Sequence, residues 1–302
     1  MSKNSDNTNR CILCGHSTKY SRPYLTTAGG GIIRNCAYFL TPLWILQKLS
    51  LFSKKFNSIV VNRKFFGDKK LFWCDSCCFA FVLPVFNEAG LDSYYREFYW
   101  QAREEHESFF NKDPRIPLES KIKSVEDQFD WVSLQGVRFS TAIDFGAGDC
   151  AGAYVLVKKC GLNNVSVVDS ANQTELIADS MGINYSRSLQ DIKPVDFLYS
   201  SHAIEHVADL LAVFDRLAKA VCEGGYIFLE TPNIADKDIF YGLVFTPHTY
   251  SLSEPSFRKI CEARTLKVVA VHTTGPEWRQ NHSNIDSQAR ADLRVLLQKL
   301  PS

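Results

Sequence analysis

The sequence predicts an α/β fold with a mostly parallel sheet, preceded by a small cysteine-rich module. Three observations support this prediction. From about residue 140, short apolar segments typical of strands alternate with segments of helical periodicity, the pattern of a sheet covered by helices on both faces. The first strand segment, "TAIDF", leads into the glycine turn "GAGD". Two Cys-x-x-Cys pairs precede this pattern and indicate a separate kind of structure.

The composition indicates a globular protein with two regions of different charge. Of the 302 residues, 45% are hydrophobic, and 34 basic residues nearly balance 33 acidic ones. Residues 1–80 hold 12 Lys and Arg against 3 Asp, about +9, so the remainder carries about −8. The basic region is either a solvated face or a surface that attracts an anionic partner. The first residues, "MSKNSDNTNR", lack the apolar run of an export signal, so we expect a cytoplasmic location.

Residues 1–90 are predicted to form a zinc-ribbon module. Two Cys-x-x-Cys knuckles supply the four thiolates that a tetrahedral structural zinc site needs, and ten cysteines in a reducing compartment favour this over disulfides. The predicted ligands are Cys11, Cys14, Cys74 and Cys77. His16 and Cys78 are alternative ligands, and a set of buried free thiols is the competing interpretation.

The long gap between the two cysteine pairs requires an insert, placed at about residues 32–70. Its first part, residues 32–52, is apolar and aromatic but contains Arg34, Pro42 and Lys48, which argue against a membrane span. We predict a buried helix here. A helix at a membrane surface or against a partner is the alternative, because a basic run follows.

The remaining chain divides into a helical connector at 91–135, a main domain at 136–275 and a polar tail at 276–302. In the main domain, strand and helix segments alternate in the order "TAIDF", "AGAYVLVKKCG", "VSVVD", "VDFLYS", "VADLLAVFDRLAKAV", "YIFLE", "SLSEPSFRKICEA" and "LKVVAVH". The tail is predicted to end in an amphipathic helix, "SQARADLRVLLQKL". No seventh, antiparallel strand is evident after "VVAVH".

The glycine turn predicts a ligand at the carboxyl ends of the strands. Gly146 and Gly148 allow the backbone to approach a ligand closely, and Asp169 ends the second strand, where a carboxylate binds ribose hydroxyls. A nicotinamide dinucleotide fits the glycine spacing. Asp144 and Asp149 flank the turn and would repel a pyrophosphate, whereas they suit the amino group and sulfonium of S-adenosylmethionine.

These motifs resemble a class I S-adenosylmethionine-dependent methyltransferase, which implies a Rossmann-like sheet. "IDFGAGD" is similar to the first motif of that family and "VVDS" to its ribose-binding acid. "VDFLYSSHAIEHVADLLAVFDRLAKAVCEGGYIFLETPN" resembles its fourth strand, next helix and fifth strand, so the resemblance covers residues 140–272. The paired Cys-x-x-Cys motifs followed by "LDSYYREFY" resemble zinc-ribbon methyltransferases of sugar and polysaccharide biosynthesis, relatives of the nucleotide-sugar C-methyltransferases.

The resemblance implies a cofactor site. Asp144 would orient the methionine end, Asp169 and Ser170 would bind the ribose, and the other implied contacts come from the turn, the adenine pocket and the fourth strand. These contacts are Gly146, Gly148, Ser188, Leu189 and Ser201. Cys150 departs from the family, since it replaces a third glycine and would narrow the pocket.

Methyl transfer to a hydroxyl needs a general base, and histidine suits that role near neutral pH. The candidates are His202, His206 and His248, of which His202 stands closest to the strand end. A structural role is the alternative for each. A metal site built on His202 and His206 is disfavoured, because Glu205 is not placed as in H-E-x-x-H.

The predicted function is methyl transfer to a small-molecule acceptor, a sugar or nucleotide-sugar precursor whose phosphates the basic module would attract. One alternative is an RNA methyltransferase that uses the zinc ribbon on nucleic acid; the lone proline of "ETPN" argues against it. Another is a non-catalytic partner protein, for which Cys150 is the sequence argument.

Overall fold

A computed structural model gives the fold and describes residues 10–23, 65, 69–96, 113, 115–234, 248–274 and 292–301. The apolar segment at 32–52 and most of the predicted insert lie outside these ranges. None of the helices within them has the length and apolarity required to span a membrane.

A seven-stranded sheet forms the main domain and confirms the predicted α/β architecture. Its strands are β4 (Thr141–Phe145), β5 (Asn164–Val168), β6 (Asn184–Ser186), β7 (Val195–Ser201), β8 (Val221–Pro232), β10 (Leu266–Thr274) and β11 (Asp292–Lys299). The order across the sheet is β10-β11-β8-β7-β4-β5-β6. Strands β4 to β8 pair in parallel. From β4 the chain forms β5 and β6 on one side of β4, and then β7 and β8 on the other side. This reversal between β4 and β7 creates the crevice in which α/β sheets bind ligands.

Helices cover both faces of this sheet, as predicted. One face carries α2 (Glu119–Leu134), α3 (Ala151–Lys158) and α4 (Asn172–Met181); the other carries α5 (Leu210–Ala220) and α6 (Glu254–Glu262). Local signals set their ends. The side chain of Asp209 caps α5 by accepting from the N–H of Ala212, and Ser253 and Ser256 form a capping box at the start of α6.

The predicted C-terminal helix is wrong, because Asp292–Lys299 forms strand β11. This strand lies antiparallel between β8 and β10 and is the seventh strand that the sequence pattern did not reveal. Leu293, Val295 and Leu297 pack on one face of the sheet while Leu296 packs on the other. With both faces buried, the strand lacks the alternation of apolar and polar residues that identifies a half-exposed strand. The sheet of the main domain therefore extends beyond the predicted limit at 275.

A second, four-stranded sheet contains the cysteine pairs. Its strands are β1 (Lys19–Pro23), β2 (Lys70–Cys74), β3 (Phe79–Leu83) and β9 (Tyr250–Ser251), in that order. Strand β9 comes from the segment between β8 and α6, so the main domain completes this sheet. Phe79 and Phe81 share one apolar core with Phe257 of α6. The short helix α1 (Glu88–Tyr94) follows β3.

Candidate active site

The glycine turn after β4 brings two segments of backbone very close together. Gly146 and Gly148 adopt φ values of 69° and 55°, in the left-handed region that favours glycine. The N–H of Gly146 donates to the carbonyl of Val168 at 2.8 Å, which ties the turn to the end of β5. A side chain at Gly146 would overlap the methyl group of Ala203, which follows β7. The turn therefore requires glycine for its φ angle and for its close approach.

Asp144 lies beneath this turn, at the end of β4. One carboxylate oxygen accepts from the N–H of Ala153 at 2.7 Å, and the residue is 2% exposed. Burial raises the pKa of Asp144 to about 8, with a smaller contribution from the nearby charges of Asp149 and Asp169. A cation placed against this carboxyl group would favour its ionised form. Asp144 therefore suits the positively charged end of a ligand.

Asp169 follows β5 and faces the same cavity. Its two carboxylate oxygens accept from the N–H groups of Gly148 and Ala171, at 2.9 and 2.8 Å, which fix its orientation. Burial raises its pKa. Each oxygen retains a second acceptor direction for a hydroxyl group.

All eleven residues predicted to bind the cofactor or to act in catalysis line one cavity of about 820 Å³. They are Asp144, Gly146, Gly148, Asp169, Ser170, Ser188, Leu189, Ser201, His202, His206 and His248. Cys150 is not among the lining residues, although it has a φ of 60° and occupies the position of the third glycine. It is fully buried, and its thiol points towards the carbonyl of Thr174 in α4. The expected narrowing of the pocket by Cys150 is therefore wrong.

Histidines and carboxylates converge at one part of the cavity wall. His202, with a φ of 52°, directly follows β7, and its ring lies 3.4 Å from Glu205, 3.6 Å from Glu230 and 3.9 Å from Asp292. The cavity wall removes part of the hydration of the His202 imidazole, which keeps 42% of its surface exposed, and this loss of hydration opposes protonation. The contact with Glu205 and the charges of Asp292 and Glu230 outweigh it and raise the pKa of His202 to about 9. A protonated imidazole donates hydrogen bonds. This state does not favour the predicted role of His202 as a base.

His206 and His248 form a second group of imidazoles beside Glu205. Their rings pack edge to face with centroids 4.6 Å apart, and a ring nitrogen of His206 lies 3.8 Å from the Glu205 carboxylate. Ile204–His206 forms a single 3₁₀ turn. Glu205, 1% exposed, belongs to this turn and lies close to the rings of both His202 and His206.

Residues 101–271, more than half of the chain, match the family model described as "Methyltransferase domain". The chain belongs to this methyltransferase family. Its glycine turn, its sheet order and its cavity belong to the fold that the resemblance implied.

Two curated relatives and one solved structure resemble this methyltransferase. The trans-aconitate 2-methyltransferases of Rhizobium etli and of Rhizobium leguminosarum bv. trifolii are 27% and 26% identical to it over 121 residues, 38% of this chain and 46% of each relative. The chain therefore spans about half the length of the curated relatives that it matches. The crystal structure of magnesium protoporphyrin IX methyltransferase from Synechocystis PCC 6803, with bound SAH, is similar with a TM-score of 0.50 and 11% identity, covering 70% of this chain and 100% of that one. This likeness concerns the fold alone.

Sequence reasoning missed a buried polar network beside the site of this methyltransferase. Glu230, at the end of β8, accepts from Arg294 of β11 at 2.7 Å and from Gln128 of α2 at 2.5 Å. Gln128 in turn accepts a hydrogen bond from the hydroxyl group of Tyr199 in β7. The network joins three strands and a helix below His202. Glu230 was visible as an acid ending an apolar strand, whereas Arg294 gave no signal because its segment was predicted to be helical.

The four predicted metal ligands of this methyltransferase come together beside the second sheet: Cys11 and Cys14 precede β1, Cys74 ends β2, and Cys77 lies in the turn that follows. The sulfur atoms of Cys14 and Cys74 lie 3.6 Å apart, and those of Cys11 and Cys77 lie 4.0 Å apart. All four sulfurs lie within 4.8 Å of one another. His16 lies against Cys14 at 3.2 Å, outside this group of four.

Proposed function

We propose that this methyltransferase transfers a methyl group to a hydroxyl group of a small-molecule acceptor that contains a sugar. The observation that carries the proposal is that Asp144 and Asp169 share a single cavity with His202, His206 and His248. One end of the cavity thus offers acids and glycine backbone, and another offers imidazole groups. A hydroxyl acceptor needs groups that bind its oxygen and manage its proton.

The cofactor end fits S-adenosylmethionine. When bound, S-adenosylmethionine supplies a methyl carbon that is activated by its positively charged sulfonium. Burial raises the pKa of Asp144, so a neighbouring cation would stabilise its ionised carboxylate. Asp169 would accept hydrogen bonds from two ribose hydroxyls. Ser188 and Leu189 would flank the adenine, with the apolar side chain of Leu189 packed in the core. In-line transfer then depends mainly on how these residues hold the reacting groups.

At the acceptor end, His202 would donate a hydrogen bond to the reacting oxygen. Arg216 also lines the cavity, where it pairs with Glu88. Lys121 pairs with Asp149 of the glycine turn and Arg187 directly precedes Ser188, so both belong to the cofactor end. Arg216 supports an acceptor that carries phosphate, as a nucleotide sugar does. A small carboxylic acid is the second candidate acceptor, because the relatives with sequence similarity are trans-aconitate methyltransferases. A carboxylate would need no base.

We further propose that Cys11, Cys14, Cys74 and Cys77 bind a structural zinc ion. Four thiolates at about 2.3 Å from a tetrahedral zinc ion have sulfur–sulfur edges of about 3.8 Å. The sulfur–sulfur distances of 3.6 Å for Cys14–Cys74 and 4.0 Å for Cys11–Cys77 match this spacing. The donor set is the one that structural zinc sites use.

Calorimetric titration with S-adenosylmethionine, with NAD as the control, tests the cofactor. We expect saturable binding of the former alone. Incubation with isotope-labelled cofactor and separate panels of nucleotide sugars and small carboxylic acids then tests the acceptor. Labelled product from sugars but not from acids supports the sugar proposal. Product from acids alone contradicts it.

A further inference from the structure

The segments that carry Glu205 and His248 are held together by backbone contacts. The N–H and the hydroxyl group of Thr249 both donate to the carbonyl of Glu205, at 2.7 and 2.9 Å. The hydroxyl group also donates to the carbonyl of Val207 at 2.7 Å. His206 lies within the same turn. Glu205, His206 and His248 each offer one atom of a type that ligates metals, and these three atoms lie within 4.8 Å of one another.

Glu205 supplies a second, independent observation. Its side chain is 1% exposed, and neither carboxylate oxygen accepts a hydrogen bond from the described part of the chain. The ring of His202 contacts Oε1 at 3.4 Å, whereas the ion pairs of the described residues do not include Oε2. Glu205 is also one of the residues that line the cavity. A buried carboxylate oxygen without a hydrogen bond is costly unless a cation compensates it. This situation favours a positively charged ligand beside Oε2 of Glu205.

The donor set indicates the kind of cation. Two imidazoles and one carboxylate are typical ligands of Zn²⁺, Mn²⁺ and Fe²⁺ in sites that keep coordination positions for a substrate. A second group, His202, Glu230 and Asp292, also has its ligand atoms close together. There, however, the charge of Glu230 is already compensated by Arg294 at 2.7 Å. The contact of Glu205 with His202 is longer, at 3.4 Å, and involves one carboxylate oxygen. The Glu205 group is therefore the better cation site.

We propose that Glu205, His206 and His248 bind a divalent transition-metal cation that coordinates the acceptor's hydroxyl oxygen. This inference rests on the proposed transfer to a hydroxyl group. Coordination makes the hydroxyl acidic. Its O–H bond breaks and the proton passes to water; a lone pair of the oxygen forms the new C–O bond to the methyl carbon. The C–S bond breaks, and its electron pair stays on sulfur as the neutral thioether.

Titration of the full-length protein with Mn²⁺, followed by the EPR signal of the free ion, tests this site. Mn²⁺ is the probe because thiolate clusters select softer ions, so the four cysteines compete little. We expect one binding event in the native protein, weakened about tenfold or more in Glu205→Gln and in His248→Gln. His272→Gln is the matched control, since this exposed histidine lies outside the cavity. Circular dichroism and calorimetry with S-adenosylmethionine verify that each variant is folded.

The proposal is supported if the native protein and His272→Gln bind Mn²⁺ and the two cavity variants lose this binding. Absence of Mn²⁺ binding in a protein that still binds S-adenosylmethionine and methylates a hydroxyl acceptor overturns the metal site while leaving the proposed function intact. Equal Mn²⁺ affinity in the native protein and in folded Glu205→Gln also overturns it. Failure to bind S-adenosylmethionine would instead count against the proposed function.

Discussion

Replacement of Gly146 by alanine tests the geometry of the glycine turn. Two costs arise from the structure. The φ of 69° is unfavourable for a residue with a Cβ atom by roughly 1–2 kcal/mol. The new methyl group would also overlap that of Ala203, and relief of such overpacking costs about 1–3 kcal/mol. We therefore expect Gly146→Ala to lower the free energy of unfolding by roughly 2–5 kcal/mol.

Gly161→Ala is the matched control for this variant. Gly161 has a φ of 71°, almost the same as Gly146, but, apart from its own chain neighbours, no atom of the described residues would lie within 4 Å of its added Cβ. Gly161→Ala should lower the free energy of unfolding by the backbone cost alone, roughly 1–2 kcal/mol. Urea denaturation of both variants at one pH measures the difference, which isolates the overlap with Ala203.

The same pair of variants also tests function. Ala203 lies between His202 and the turn that carries Glu205, so its displacement should weaken cofactor binding in Gly146→Ala but not in Gly161→Ala. Equal destabilisation of the two variants would refute the close approach. Unchanged affinity of Gly146→Ala for S-adenosylmethionine would refute its importance for the site.

Three further predictions follow from the site and the cysteine cluster. Asp169→Asn should reduce affinity for S-adenosylmethionine by more than about tenfold, because it removes charge-assisted hydrogen bonds; unchanged calorimetric affinity would eliminate the ribose role. Cys74→Ser should release zinc, measured by metal analysis, whereas Cys160→Ser, an exposed thiol outside the cluster, should keep it; unaltered zinc in Cys74→Ser contradicts the proposed zinc site. The pKa of Asp144 is raised to about 8. The unliganded native state therefore binds more protons than the unfolded chain between about pH 4 and 8. Over this range the free energy of unfolding should fall with rising pH by up to about 1.4 kcal/mol per pH unit. Asp144→Asn should flatten that slope in denaturation curves taken across this pH range, and an identical slope would show that Asp144 is not the group responsible.

The cofactor end of the site was predictable because its signals are local. The turn "GAGD" needs glycine for its own backbone conformation, and Asp144 and Asp169 stand at the ends of apolar segments that any parallel sheet would align. Hydrophobic periodicity predicted the helices of the main domain. The four cysteines were likewise paired by short spacing, although 59 residues separate the pairs.

The acceptor end depends on contacts between segments that are distant in the chain. Strand β11 is buried on both faces, so its sequence lacks the alternation that identifies a strand. The contributions of Asp292 and Arg294 to the site could therefore not be predicted from the sequence. Cys150 stood at a glycine position, but only packing showed that its thiol points into the core rather than into the cavity. His248 meets Glu205 because Thr249 binds the turn after β7, a contact across 44 residues. Local propensity thus determined the fold class and the cofactor turn, whereas long-range packing decided which side chains surround the acceptor.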